Sequence, residues 1–344
     1  RGTCCNIKKR MTILTNEETD TSVSVEESST INIAHRASNQ DTIAIGSRDS
    51  KDVEAIKTSS PLMRISPKRT TGTQDPPVTK IRLGICALDK KARSKPMGEI
   101  LSRLDDALFE IVYFGDNLII NEPIERWPVV DVLIAFYSTG YPLAKAEAYA
   151  AKCKPFLLND LSMQWTLLDR RKVYEKLEQA GIDLPRHVFV SRDGYKSKFT
   201  PEVGDDLVVE HDDSIEVNGM IFRKPFVEKP VNSDDHNIRI YYPTSAGGGC
   251  KKLFRKVGDR SSEFDPDTHE IRRDGSYIYE DYVETQGTDV KMYTVGPDYA
   301  HVECRKSPSL DGVVIRGEDG KEVRYPVILS LREKEIARRI VIVF

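Results

Sequence analysis

FVEKPVNSDDHNIRIYYPTSAGGGCKKLFRK, residues 226–256, reads as strands joined by two polar turns. FRKPFVEKP carries Lys229 near its end. IRIYYP and CKKLFRKV read as the strands that follow. Turns this short make neighbouring strands antiparallel. The first turn ends in His236; the second is TSAGGG. A strand lysine beside a glycine-rich tip is a way to hold phosphates. Glycines reach positive φ and let backbone approach closely. Bare amides then form an anion-binding concavity, and the lysine adds a point charge. Lys251, Lys252, Arg255 and Lys256 follow. These are more cations than one nucleotide needs, so a second, heavily anionic ligand is expected. Taken alone, the glycines also fit an ordinary hairpin and the cations a solvated face.

Toward the N-terminus the texture changes. KIRLGICAL, EIVYF, VVDVLIAFYS and PFLLN read as strands. Between them lie helices: MGEILSRLDDALF after Pro96, and PLAKAEAYAAK. Strands alternating with helices predict a small α/β domain, a doubly wound parallel sheet, over residues 80–160. Asp160 is placed to cap one long helix, LSMQWTLLDRRKVYEKLEQA, ended by Gly181. RHVFVS is a strand, and 191–219 reads as a polar connection. Beyond it SYIYEDYV, DVKMYTVG and YAHVECRKS continue the antiparallel pattern, and REKEIARRIVIVF begins a helix. Residues 161–344 are thus expected to form a second domain of antiparallel sheets plus helices. Residues 1–79 are polar and aperiodic, the composition of a disordered tail.

Composition narrows the function. The 344 residues carry a net charge of −3, so an anion site must come from local clustering. No apolar run approaches a membrane span, and no secretory leader is visible. Six scattered cysteines, without metal-like spacing, fit a reducing, cytosolic setting. There is no G-x-x-x-x-G-K-[ST], no protein-kinase H-R-D or D-F-G set, no CxxC and no HExxH. The aromatics near the cations fall in strand patterns, so no nucleic-acid partner is expected. Chain ends at Arg1 and at Phe344, within an apolar run, are expected of a piece of a longer protein.

Further constellations join the first. Glu280, Asp281, Tyr282 and Val283 end a strand and can offer backbone to an adenine edge. Asp289 and Lys291 share a face of the next strand. Arg305-Lys306-Ser307 follows a strand and can form another phosphate clamp, though alone it also fits an ordinary surface; Asp169-Arg170-Arg171 is a basic patch, and Lys90-Lys91 follows the first strand, where open α/β sheets bind ligands.

Together KIRLGICALDKKARSKPMGEIL, LNDLSMQWTLLDRRKVYEKLEQAGIDLPR, FVEKPVNSDDHN, YYPTSAGGGCKKLFRKVGDRSS, GSYIYEDYVETQGTDVKMYTVGPDYAH and CRKSPSLDG resemble the kinase domain of the diphosphoinositol pentakisphosphate kinases, from about Lys80 to Phe344. The resemblance implies an ATP-grasp domain, incomplete here, behind a pre-ATP-grasp α/β domain. It implies ATP-dependent phosphorylation of inositol hexakisphosphate and diphosphoinositol pentakisphosphate, at ring position 1. Lys229, Arg170 and His236 match ATP-phosphate contacts. Glu280, Asp281, Tyr282 and Val283 match the adenine edge, and Asp289 and Ser307 other nucleotide contacts. Lys90, Lys91, Arg255, Lys256, Lys291 and Arg305 match residues holding the inositol polyphosphate, with Lys229 and Arg305 in catalytic roles. Mg2+ ligands are expected only beyond Phe344, where relatives add an aspartate strand, a D-V-N segment and a phosphatase-like domain. The chain as given is therefore expected to bind polyphosphate without turnover. Two alternatives remain: a non-catalytic sensor or scaffold, and a carboxylate–amine ligase, which the excess of cations disfavours.

Overall fold

The computed structural model describes residues 79–197 and 207–344. The expected tail, residues 1–79, lies outside the described residues but for its last. Strands β1 (Ile81–Cys86), β2 (Phe109–Tyr113), β3 (Val132–Ala135) and β4 (Phe156–Leu157) form a parallel sheet in the order β2-β1-β3-β4. Both faces are covered, which is why β1 and β3 are apolar and buried along most of their length, with Arg82 of β1 and Glu110 of β2 paired at one end. Leu83 and Ile85 pack with Met97 and Leu101 of α2 (Lys95–Leu101), which follows the short α1 (Asp89–Ala92). Cys86, Leu133 and Ala135 pack instead with α3 (Asp116–Asn121) and α4 (Leu143–Cys153), through Ile119, Leu143 and Tyr149. Helix α2 opens on Ser94 with Pro96 in its first turn but stops at Leu101. The run expected to continue to Phe109 is instead turn, with Asp105 accepting the Ala107 amide at 2.8 Å.

The helix expected from 161 to 180 is two helices, α5 (Leu161–Leu167) and α6 (Arg170–Gln179). Asp160 caps α5 and Gly181, at φ 61°, follows α6. The break has a local cause. Asp169 leaves helical dihedrals and its carboxylate accepts the Arg171 amide at 2.9 Å. The Arg170 amide turns outward to the Val231 carbonyl at 2.8 Å.

After β5 (His187–Val190), the stretch read as a connection contains β6 (Val208–His211) and β7 (Ser214–Val217), which join β8 (Met220–Arg223) in a three-stranded antiparallel sheet. The overlooked signal was Asn218-Gly219, both at positive φ (49° and 78°), the dipeptide of a tight hairpin. The run FRKPFVEKP is split between β8 and β9 (Phe226–Pro230) at Pro225, which has no amide to donate to a ladder. Next come β10 (Ile238–Tyr241), β11 (Cys250–Val257), β12 (Arg260–Asp265) and β13 (Tyr277–Asp281). Together with β5 they make a six-stranded antiparallel sheet in the order β12-β11-β10-β9-β13-β5. A third antiparallel sheet joins β14 (Thr288–Val295), β15 (Tyr299–Lys306) and β16 (Tyr325–Pro326).

Period-two alternation divides the large sheet. Phe226, Tyr241, Tyr277 and Tyr279 point to one face and form a core with Ile215, Val217 and Phe222 of the small sheet. Glu228 lies on that face, fully buried, with Arg272 Nε at 2.6 Å and the Tyr279 hydroxyl at 3.2 Å. Val227, Lys229, Ile238, Ile240 and Glu280 face the other way. Finally α7 (Leu331–Val343) begins on a capping box between Ser330 and Glu333. Its apolar face, with no partner in the sequence reading, packs Ile336, Ile340 and Phe344 onto Val173 and Leu177 of α6.

Candidate functional site

On that second face lies a cleft of about 290 Å³, bounded by α6, the large sheet and the start of the β14–β15 hairpin. Lys229 and Glu280 enter it from adjacent strands; Glu280 stands opposite Val227, two residues before Lys229. The ammonium lies 2.5 Å from Glu280 Oε1, with the two side chains 17% and 6% exposed. Lys229 also donates to the Tyr174 hydroxyl at 3.2 Å, and that hydroxyl donates to Glu280 Oε2 at 2.6 Å. Burial works against the lysine's charge, but the Glu280 carboxylate more than offsets it and holds Lys229 above the usual lysine range. The Tyr174 phenol is pushed up by burial first, despite Lys229. Lys229 is therefore a fixed positive charge. Tyr174 was missed in the sequence; its spacing of four from Arg170 puts both on one face of α6.

Arg170 serves as a clip. Its guanidinium donates to the backbone carbonyls of Pro230 (2.5 Å), Asn232 (2.6 Å), Ser233 (3.2 Å) and Asp235 (3.1 Å). It thereby shapes the turn that brings Ser233 and His236 to the cleft. Burial draws its pKa down.

Glu280, Asp281, Tyr282 and Val283 line the cleft as they leave β13. Asp281 holds Arg186 in two contacts of 2.8 and 2.9 Å. Asp289, Arg305 and Ser307 form another part of the wall. Asp289 is 7% exposed, and burial lifts its carboxyl above the ordinary range against the opposing Ser307 hydrogen bond and Arg305. The sequence reading paired it with Lys291. The β14–β15 register instead sets it opposite Arg305, at 3.9 Å, while the Lys291 ammonium stacks 4.7 Å from the Tyr293 ring centre.

Of the cations matched to the inositol polyphosphate, Lys90, Lys91, Arg255, Lys256 and Lys291 do not line the cleft. Lys90 and Lys91 sit in α1, beyond the carboxyl end of β1. Arg255 reaches Asp234 at 3.9 Å and Lys256 reaches Glu322 at 2.5 Å. Lys251 donates to the carbonyls of Ser309 (2.9 Å) and Leu310, and Lys252 is ion-paired with Asp265.

The glycine-rich loop stands apart from the cleft. Tyr241 and Cys250, at the loop's two ends, pair at the end of the β10–β11 ladder opposite to Ile238 and Leu253, which line the cleft. None of Gly247, Gly248 and Gly249 does so. Their amides are already engaged, with the Thr244 carbonyl, the Pro243 carbonyl and His269 Nδ1 at 3.0, 3.0 and 3.1 Å. Glycine at 249 is required by packing: φ is +72°, and a Cβ would lie 2.7 Å from the Asp265 carbonyl oxygen. The nearer turn, 231–236, is the one that borders the cleft.

Among the described residues no three His, Cys, Asp or Glu side chains converge as a metal-holding group, and no helix is long and apolar enough to cross a membrane.

The fold and cleft define an α/β protein that couples a parallel sheet to antiparallel sheets around a buried lysine–glutamate pair. Residues 81–169 match the family model described as the diphosphoinositol pentakisphosphate kinase 2 N-terminal domain. The chain is 59% identical over 266 residues to the inositol hexakisphosphate and diphosphoinositol-pentakisphosphate kinase VIP1 of Arabidopsis thaliana, covering 77% of this chain and 25% of that one. It is 54% identical over 268 residues to inositol hexakisphosphate and diphosphoinositol-pentakisphosphate kinase 2 of Homo sapiens, covering 77% and 21%. Over this region the chain is similar to the N-terminal part of the diphosphoinositol pentakisphosphate kinases, and it spans about a quarter of the length of the curated relatives it matches. A D-alanine–D-alanine ligase structure from Bacillus anthracis superposes with a TM-score of 0.46 at 12% identity, over 76% of this chain and 78% of that one.

Proposed function

We propose that this chain carries the nucleotide- and polyphosphate-binding part of an enzyme that phosphorylates inositol hexakisphosphate and diphosphoinositol pentakisphosphate with ATP, giving inositol pyrophosphates. The pre-ATP-grasp and ATP-grasp domains would be 80–160 and 161–344, and the setting cytosolic. The observation that carries this reading is one cleft bringing Lys229, Arg170, His236, Asp289, Arg305 and Ser307 together from segments far apart in sequence.

In this reading an acceptor phosphate oxygen attacks the γ-phosphorus in line, the bond to the β-phosphate bridging oxygen breaks, and ADP leaves. The acceptor is already anionic, so no general base is required. Catalysis then comes from positioning and charge neutralisation. Lys229, held charged by Glu280, neutralises the ATP phosphates. Arg305, across the cleft, neutralises charge at the transfer point. Each phosphate monoester carries roughly −1.5 to −2 charges, so the acceptor carries on the order of −10. Lys90, Lys91, Arg255, Lys256 and Lys291 are assigned to it. Magnesium is the metal such chemistry uses. Of the three carboxylates lining the cleft, Glu280 is held by Lys229 and Asp281 by Arg186, which leaves Asp289. The described residues therefore do not make up a magnesium site.

The test is calorimetric titration of ATP and of inositol hexakisphosphate, with phosphorylation assayed on the full-length protein. Lys229→Ala should cost nucleotide affinity tenfold or more, since a charge-assisted hydrogen bond contributes about 1.5–3 kcal/mol. Arg255→Ala should weaken the inositol phosphate and spare ATP. Equal loss of the same ligand in both variants would sink the two-site division.

A further inference from the structure

The cations nominated for the polyphosphate are not waiting as bare charges. Glu322, on the strap that runs from Pro308 to β16, is buried, with its side chain 8% exposed. Its Oε2 lies 2.5 Å from Lys256 Nζ, 3.7 Å from Arg305 Nη1 and 3.6 Å from Arg324 Nη2. Arg324 in turn holds Glu303 at 2.9 Å, and Arg305 faces Asp289. Lys256, Arg305 and Arg324 are thus each already paired with a carboxylate. A ligand of roughly −10 charges must compete with those carboxylates for the same cations. The ion pairs also bridge two sheets: Lys256 comes from β11, Arg305 from β15 at the cleft wall.

The geometry points to Glu322 as an internal counter-anion. It holds Lys256 and Arg305 together while the polyphosphate is absent, and a ligand phosphate displaces it. This rests on the proposed function and adds a residue which that reading does not contain. Residues 315–320 of the strap are exposed. The strap is anchored by turn hydrogen bonds, Val323 N–H to the Ile315 carbonyl at 2.9 Å and Gly317 N–H to the Lys321 carbonyl at 2.8 Å, and by Arg316 on Asp259 at 2.6 Å. No core side chain of the strap between 315 and 324 is fully buried. Releasing Glu322 therefore disturbs exposed turns and leaves the sheets intact. A residue serving only to organise the cations behaves oppositely: its removal would scatter them and weaken binding.

Glu322→Gln keeps the shape and removes the charge. Calorimetry with inositol hexakisphosphate on this chain should show affinity raised on the order of tenfold, because the ligand no longer has to displace a carboxylate from Lys256 and Arg305. Glu322→Asp should keep the wild-type value, and ATP affinity should stay unchanged in both. Unchanged or weakened inositol hexakisphosphate binding, with ATP binding retained, overturns the inference. Should Glu322→Gln lose ATP binding through misfolding, hydrogen exchange on the wild type decides. Amides at 315–324 should exchange faster once inositol hexakisphosphate is bound, and equal or greater protection overturns the inference. A wild-type chain that binds ATP but no inositol hexakisphosphate defeats the proposed function itself, and the inference with it.

Discussion

Lys229 Nζ lies 2.5 Å from Glu280 Oε1, across two strands whose sequence positions are 51 residues apart. Both side chains are largely buried, and Tyr174 closes the triangle. The pair settles the charge of the lysine before any ligand arrives.

Breaking that pair has two separable consequences. Lys229→Ala leaves a buried carboxylate uncompensated, which costs about 3–5 kcal/mol. Urea unfolding should show the loss. Replacing both residues, Lys229→Met with Glu280→Gln, should restore most of the stability but none of the nucleotide affinity. Recovery of ATP binding in the double variant would remove Lys229 from the phosphate site.

Arg170 should resist conservative replacement. Four carbonyls converge on its guanidinium, and a lysine ammonium has three donors in the wrong geometry. Arg170→Lys is expected to lower stability by at least about 2 kcal/mol. It should also speed amide exchange at Val231, Ser233 and Asp235 and weaken ATP binding through the loosened turn. Wild-type exchange with weakened ATP binding would mean that Arg170 touches the nucleotide and does not act as a clip.

Gly249→Ala separates the two readings of the triple glycine. A Cβ there meets the Asp265 carbonyl at 2.7 Å at φ +72°, so stability should fall by more than about 1 kcal/mol. The folded fraction should bind ATP and inositol hexakisphosphate as the wild type does. A tenfold loss of either affinity in folded protein would return the loop to the phosphate site.

Acid sensitivity should appear at Asp193. Its carboxylate meets the buried Arg171 guanidinium in two contacts of 2.8 Å, and that pairing holds its pKa below the ordinary carboxylate range. A folded-state pKa depressed in this way contributes stability that is fully present above the unfolded value, near 3.9. The contribution is lost as pH falls from there through the lower folded value. Asp193→Asn should therefore be less stable than the wild type at pH 7, and the difference should shrink below about pH 4. A difference that stays constant between pH 7 and pH 3 would show that the pair does not titrate in this range.

Much of this was legible locally. Continuous apolar runs announced the parallel strands, because a strand covered on both faces has no polar side. Alternation set Lys229 opposite in facing to Phe226 and Glu228, as the pleat requires. Residue patterns singled out Arg170, His236, Asp289, Arg305 and Ser307, the resemblance to a family gave them roles, and all five line the cleft. What stayed hidden was whatever depends on pairing between distant segments. The strand order β9-β13 joins Lys229 to Glu280; the β14–β15 register gives Asp289 to Arg305, where strand spacing alone suggested Lys291. The glycine-rich loop had phosphate-binding chemistry in its composition, but the direction of β10 carries it to the far end of the ladder. The charge state of the cationic set was equally out of reach, since Glu322 lies 66 residues from Lys256. Periodicity records which way a side chain faces relative to its own backbone. Which partner it meets is decided by register and sheet order, which arise only when the whole chain is packed.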